Sequence, residues 1–157
     1  MTTSDVALRF AAAVLVGGSI GLNRDLRGKP AGVRTHALVC LGSAVLTVVA
    51  GTAADAAAVS RVMQGIITGI GFIGAGVILH RKGGKTVRGL TTAATIWIVA
   101  TLGIACGVAD WVPVALGSGF TLLVLIAGGP VERMFHRPVD APSPGPPAEQ
   151  PLDDRTR

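Results

Sequence analysis

The chain has 157 residues, of which 50% are hydrophobic and only 15% charged, with a formal net charge of +5 and a mean hydropathy of +0.59. A water-soluble domain carries about a quarter charged residues, so this composition excludes an ordinary soluble globule, and the pI near 10.2 has to be resolved by position before it can suggest nucleic acid. The 23 Asp, Glu, Lys and Arg residues leave four stretches without charge, 36–54, 62–79, 89–109 and 111–131, each close to the roughly 20 residues that a helix needs to cross about 30 Å of hydrocarbon.

A fifth apolar segment, 6–22, precedes these and is interrupted only by Arg9. A secretory signal would carry basic residues before its apolar core and a small-x-small cleavage site after it. Here the positive charges (Arg24, Arg27, Lys29 and Arg34) follow the core, which favours a first membrane helix. Arg9 lies about one turn inside, where its long stem can carry the guanidinium to the interface. Asp5, four residues earlier, stands in the favourable acid-before-base order on a helix, so an Arg9–Asp5 pair is the simpler reading than a functional intramembrane charge. The sequence thus predicts an all-α bundle of five transmembrane helices in residues 1–135, with spans at about 6–22, 36–54, 62–79, 89–107 and 112–129. Residues 136–157 hold six of the nine prolines, the composition of a disordered tail.

Charge sets the expected topology. Four Lys and Arg lie in 23–35, four in 80–88, and Arg133 and Arg137 follow the last span, whereas the other connections hold only Arg61 on one side and no basic residue around Asp110. The positive-inside rule then puts the N-terminus outside and the C-terminus, with its Pro-rich tail, in the cytoplasm. On that topology Cys40 lies near the cytoplasmic start of the second helix and Cys106 near the outer end of the fourth. Their expected separation exceeds the ~7 Å between α-carbons that a disulfide allows.

Twenty-two glycines weaken helices in water but let helix backbones approach closely in a membrane. Gly17 and Gly21 have the GxxxG spacing. In the third helix, at about 100° per residue, Gly65, Gly69 and Gly76 form one stripe, and Gly71 and Gly74 lie opposite, so this helix is expected at the centre of the bundle. Gly69-Ile-Gly71-Phe-Ile-Gly74 matches GxGxxG, yet no strand precedes it and no acid follows about 20 residues later, as dinucleotide binding requires. Gly84-Lys85-Thr86 lacks the earlier glycine of a phosphate-binding loop. No HExxH motif and no paired carboxylates stand within a span, so no enzyme, cofactor or metal site is expected.

Mg²⁺ sheds water reluctantly and is usually held through carboxylates, but all nine acids lie at helix ends, in loops or in the tail. Direct Mg²⁺ conduction by a single chain is therefore disfavoured. The two basic loops have the opposite character, with eight Lys and Arg against one acid, Asp25. Helices two and four start there, so their partially positive N-termini face the same side. Arg24, Asp25, Arg34, Thr35 and Arg88 are the candidates for binding a partner or an anion, with membrane lipids, anionic headgroups among them, as one class of ligand. Asp25 is expected to pair with Arg34 or Arg88. Asn23, Gln64, Thr91 and Thr95 either line a polar crevice or, as threonines in helices often do, bond back to their own helix.

Three segments, GGSIGLNRDLRGKPAGVRT from Gly17, GIGFIGAGVIL from Gly69 and VRGLTTAATIW from Val87, resemble in order and spacing the membrane domain of the MgtC/SapB family, over about 8–107. The resemblance implies a multi-pass protein of the bacterial inner membrane, linked to growth under magnesium limitation and, in pathogens, to survival in host cells. It implies a membrane regulator that contacts other inner-membrane proteins, including the proton-translocating ATP synthase; the glycine-rich faces themselves lead to the expectation of a homo-oligomer. Arg34, Thr35, Gly71, Gly74 and Arg88 stand where the family pattern puts them. Many members carry Glu in place of Asn23 and Asn in place of Thr91, and longer members add a folded cytoplasmic C-terminal domain. The reading is a non-enzymatic regulator of magnesium or envelope homeostasis. The alternative is a small secondary transporter or channel for Mg²⁺ or another ion, its path lined by Asn23, Gln64, Thr91 and Thr95.

Overall fold

In a computed structural model of the chain, residues 1–53, 56–80 and 87–135 are described. The tail at 136–157 and most of the second basic loop lie outside them. Each long apolar segment is a helix, since a chain in hydrocarbon has to satisfy its backbone polar groups internally. The helices are α1 (Thr3–Leu26), α2 (Val33–Gly51), α3 (Ala56–Gly76), α4 (Leu90–Val108) and α5 (Trp111–Phe135), all long and apolar enough to cross a membrane. Strands β1 (Leu79–His80) and β2 (Val87–Arg88) form a short antiparallel pair between α3 and α4, with Leu79 opposite Arg88.

Local chemistry places the helix ends. The Thr2 hydroxyl accepts from the Asp5 amide at 3.2 Å and starts α1, a favoured N-cap arrangement. The chain leaves α1 through Gly28 at φ +60°, with Pro30 beyond it, the usual way to stop a helix. Gly89 starts α4 at φ +95°, and a side chain there would collide with the Val77 carbonyl. Pro130 lies inside α5 and cannot donate to the carbonyl four residues earlier. That carbonyl, of Ile126, accepts instead from Arg27 Nη2 at 3.4 Å, which joins α5 to the end of α1.

The core is made by α1, α2 and α4. A methyl group added at Gly17 would come within 2.5 Å of the His36 carbonyl oxygen, one at Gly21 within 2.6 Å of Val33 Cα, and one at Gly107 within 2.6 Å of Thr47 Cβ. Gly103 lies directly on the Cys40 carbonyl. Ala13, Ile20, Cys40, Ala44, Val99 and Cys106 fill the space between these close backbones and are buried.

Two expectations from the sequence are corrected here. The central helix is α4, with 56% of its span buried, whereas α3 has 11% and α5 has 6%. Gly65, Gly69, Gly71 and Gly76 meet nothing within 4 Å, and Gly74 alone of the five touches a neighbour, Ala93. Helical spacing shows that a face is smooth but not that a helix lies on it, and in this chain a groove of about 700 Å³ separates Gly65 and Gly69 from Leu38, Gly42 and Leu46 of α2. The cysteines likewise share one buried cluster, as free thiols. Counting from helix starts suggested different depths, but Gly103 of α4 lies level with Cys40 of α2, so α4 begins about six residues, roughly 9 Å, beyond the start of α2. That offset brings Cys106 down to Cys40.

Candidate functional site

The ends of α1 and α5 and the starts of α2 and α4 meet at the basic end of the bundle, and the charged residues there are not equivalent. The apolar run of α1 finishes at Leu22, but the helix continues through Leu26, which turns Arg24 inward. Arg24 is only 4% exposed, its Nη2 donates to Thr92 Oγ1 at 2.8 Å, and its Nε has no partner. A residue read as part of a basic loop surface is therefore inside the bundle, held against the first turn of α4. Arg27 lies close enough to act on it electrostatically.

Asp25 turns the other way. Its Oδ2 accepts from the Val33 amide at 2.9 Å, and it takes no salt bridge among the described residues, where the Arg9–Asp5 pair at 3.0 Å stands alone. The expected pairing with Arg34 or Arg88 is thus corrected. The N-cap of α2 is Gly32, which has no side chain to offer, and the tight connection brings Asp25 against Gly32, where its carboxylate supplies the missing cap. Arg34 and Arg88 are exposed, and Thr35 is half-buried.

The four residues of the expected polar crevice do not come together. Gln64 and Thr91 are exposed on α3 and α4, Asn23 is half-buried with its Oδ1 unpartnered, and Thr95 is buried and donates to the Thr92 carbonyl at 2.8 Å. Bonding back is general in these spans: Thr47 donates to the Ser43 carbonyl at 2.8 Å, Thr101 to that of Trp97 at 3.1 Å and Thr121 to that of Gly117 at 2.6 Å. Such hydroxyls satisfy themselves and leave no chain of donors across the bundle. None of the four lines the α2–α3 groove. Among the described residues, no three His, Cys, Asp or Glu side chains gather as a cation site.

Sequence reading missed two members of the polar end. His36 is fully buried, with Nδ1 donating to the Gly32 carbonyl at 3.1 Å and Nε2 unpartnered. In the sequence it marks only the start of a long uncharged stretch. Thr92 carries the contact to Arg24 that its neighbour Thr91 cannot make, and only the rotation of α4 decides between them. The opposite end of the α1–α4 pair is fully partnered. Arg9 donates to both Asp5 carboxylate oxygens, at 3.3 and 3.0 Å, and to the Gly107 carbonyl at 2.7 Å.

The chain matches the model of the MgtC family over residues 10–134 and belongs to that family. It is 47% identical over 132 residues to Protein SrpB of Synechococcus elongatus, covering 76% of this chain and 72% of that one. Over 143 residues it is 40% identical to a protein of Escherichia coli named putative magnesium transporter YhiD, covering 86% of this chain and 62% of the relative. Over 98 residues it is 45% identical to Protein MgtC of Brucella abortus, with 62% of this chain and 40% of the relative covered. The chain thus spans less than two thirds of the length of the last two. No solved structure matches it. Five helices of spanning length in a member of this family make the chain a multi-pass membrane protein.

Proposed function

We propose that this MgtC-family chain is a non-enzymatic regulator in magnesium or envelope homeostasis, set in the bacterial inner membrane with its basic end in the cytoplasm. The observation that carries this reading is the division of labour at that end. Arg34 and Arg88 are exposed and have no structural task among the described residues, while Arg24 is turned into the bundle and the Asp25 carboxylate caps α2. Exposed cations beside two helix N-termini suit an acidic partner, whether another inner-membrane protein or a lipid headgroup. The link to magnesium comes from relatives, one named a putative magnesium transporter. The groove glycines and the thinly covered faces of α3 and α5 are where homo-oligomer contacts would form.

The test is Arg34→Ala and Arg88→Ala, singly and together, in cells grown in low magnesium. Loss of the growth phenotype with undiminished protein in the membrane is the expected result, and full function in the double variant overturns the mechanism. The second reading, a transporter or channel for Mg²⁺ or another ion, has the name of the Escherichia coli relative in its favour. The scatter of Asn23, Gln64, Thr91 and Thr95 counts against it. Reproducible flux of Mg²⁺ or H⁺ into proteoliposomes, lost in Thr91→Val, would reverse the order of the two.

A further inference from the structure

The N-termini of α2 and α4 leave the same kind of unsatisfied amide groups at the same end of the bundle, yet only one has an acid. Val33 of α2 is served by Asp25. Gly89 of α4 supplies no side-chain cap, and the sequence has no Asp or Glu between Asp55 and Asp110, so the loop leading into α4 brings none. What meets the first turn of α4 is a cation: Arg24, held there by Thr92, 4% exposed, with an unpartnered Nε. Arg27 is near it, and exposed Arg88 directly precedes Gly89. A positive charge at the positive end of a helix is unfavourable, and a buried charge without a counter-ion is more so.

We propose that Arg24 and the first turn of α4 bind a phosphate-class oxyanion. The anion would accept from Arg24 Nε and from the uncapped amides of Leu90 and Thr91. Both of these residues are exposed, so the approach is from the basic loops and not through the bundle. Guanidinium groups and helix N-termini suit such an anion by geometry as well as by charge. Thr92 keeps the guanidinium in place before the ligand arrives. The proposal goes beyond the regulatory reading and needs neither magnesium nor a protein partner.

The phosphate has two natural sources, a free ion and a lipid headgroup, and the experiment separates them. The full chain is purified in an uncharged detergent free of phosphate, and its thermal midpoint is recorded against inorganic phosphate with chloride at equal ionic strength as the control. It is recorded again in nanodiscs of phosphatidylcholine with and without phosphatidylglycerol. A midpoint raised by about 3 °C at tenfold excess over the dissociation constant in the phosphate titration assigns the free ion, and the same rise with phosphatidylglycerol alone assigns the lipid. Arg24→Gln should abolish either response. Thr91→Asp places a carboxylate of the chain itself in the first turn of α4 and should raise the starting midpoint while abolishing the response, which guards against Arg24→Gln simply failing to fold. No response in either arm, or a response that survives Thr91→Asp, overturns the site. No cell or partner enters these measurements, so Arg34 and Arg88 can fail their test without affecting this one.

Discussion

Arg9 and Arg24 are borne by the same helix and reach opposite ends of the same neighbour, and their surroundings differ in sign. Arg9 meets the C-terminal turn of α4, where carbonyl oxygens collect partial negative charge, and it also has Asp5. Arg24 meets the N-terminal turn, where partial positive charge collects, and it has a threonine hydroxyl. An antiparallel pair of helices makes this outcome unavoidable when one helix has an arginine near each end. One arginine completes the structure, while the other leaves a demand for negative charge that nothing among the described residues meets. An arginine in a membrane helix is thus structural or functional according to which end of its neighbour it finds.

The most drastic way to break this comparison is to push the helices apart. Gly103→Leu forces a side chain into the Cys40 carbonyl, and overpacking of that kind costs about 1–3 kcal/mol or more. Loss of monodisperse protein on size-exclusion chromatography is expected. Next come the arginines themselves, measured as unfolding free energies in phosphate-free detergent. Arg9→Met should cost about 1–2 kcal/mol, through a lost pair and a lost carbonyl contact. Arg24→Met should be neutral or stabilising by about 1 kcal/mol, because it removes a buried charge that lacks a counter-ion. Equal losses in the two variants would end the contrast. Asp25→Ala removes the cap of α2 and should cost about 1 kcal/mol in the same assay. The smallest effect belongs to Arg34→Gln, within about 0.5 kcal/mol of the parent as befits an exposed side chain, which makes any effect on function separable from folding.

Much of the architecture was legible because charge-free runs of spanning length have one solution in hydrocarbon, and because Gly17 and Gly21 stand at the spacing that lets two helices touch. The limits are as physical. The glycines of α3 have helical spacing too, but spacing describes one surface and contact needs two. Cys40 and Cys106 look distant when depth is counted within each helix, whereas the offset between α2 and α4 shows only in the contacts between them, Gly103 on Cys40 and Gly107 on Thr47. Asp25 looked like an ion-pair partner since charge is visible in sequence, while the turn that delivers its carboxylate to Val33 is not. Hydropathy assigns Arg24 to the loop surface because the apolar run stops at Leu22, and it cannot see a helix that continues for another turn with polar residues.

Pro130 gives α5 a kind of address. Few of its side chains enter the core, Val114 and Leu125 among them, and shape alone leaves a smooth helix many nearly equivalent seats. A proline frees one chosen carbonyl, and Arg27 answers that carbonyl. Moving the proline by a single position would move the freed oxygen by about 100° around the helix and 1.5 Å along it, so a fault in the ladder of backbone hydrogen bonds marks both the rotation and the height at which α5 meets α1.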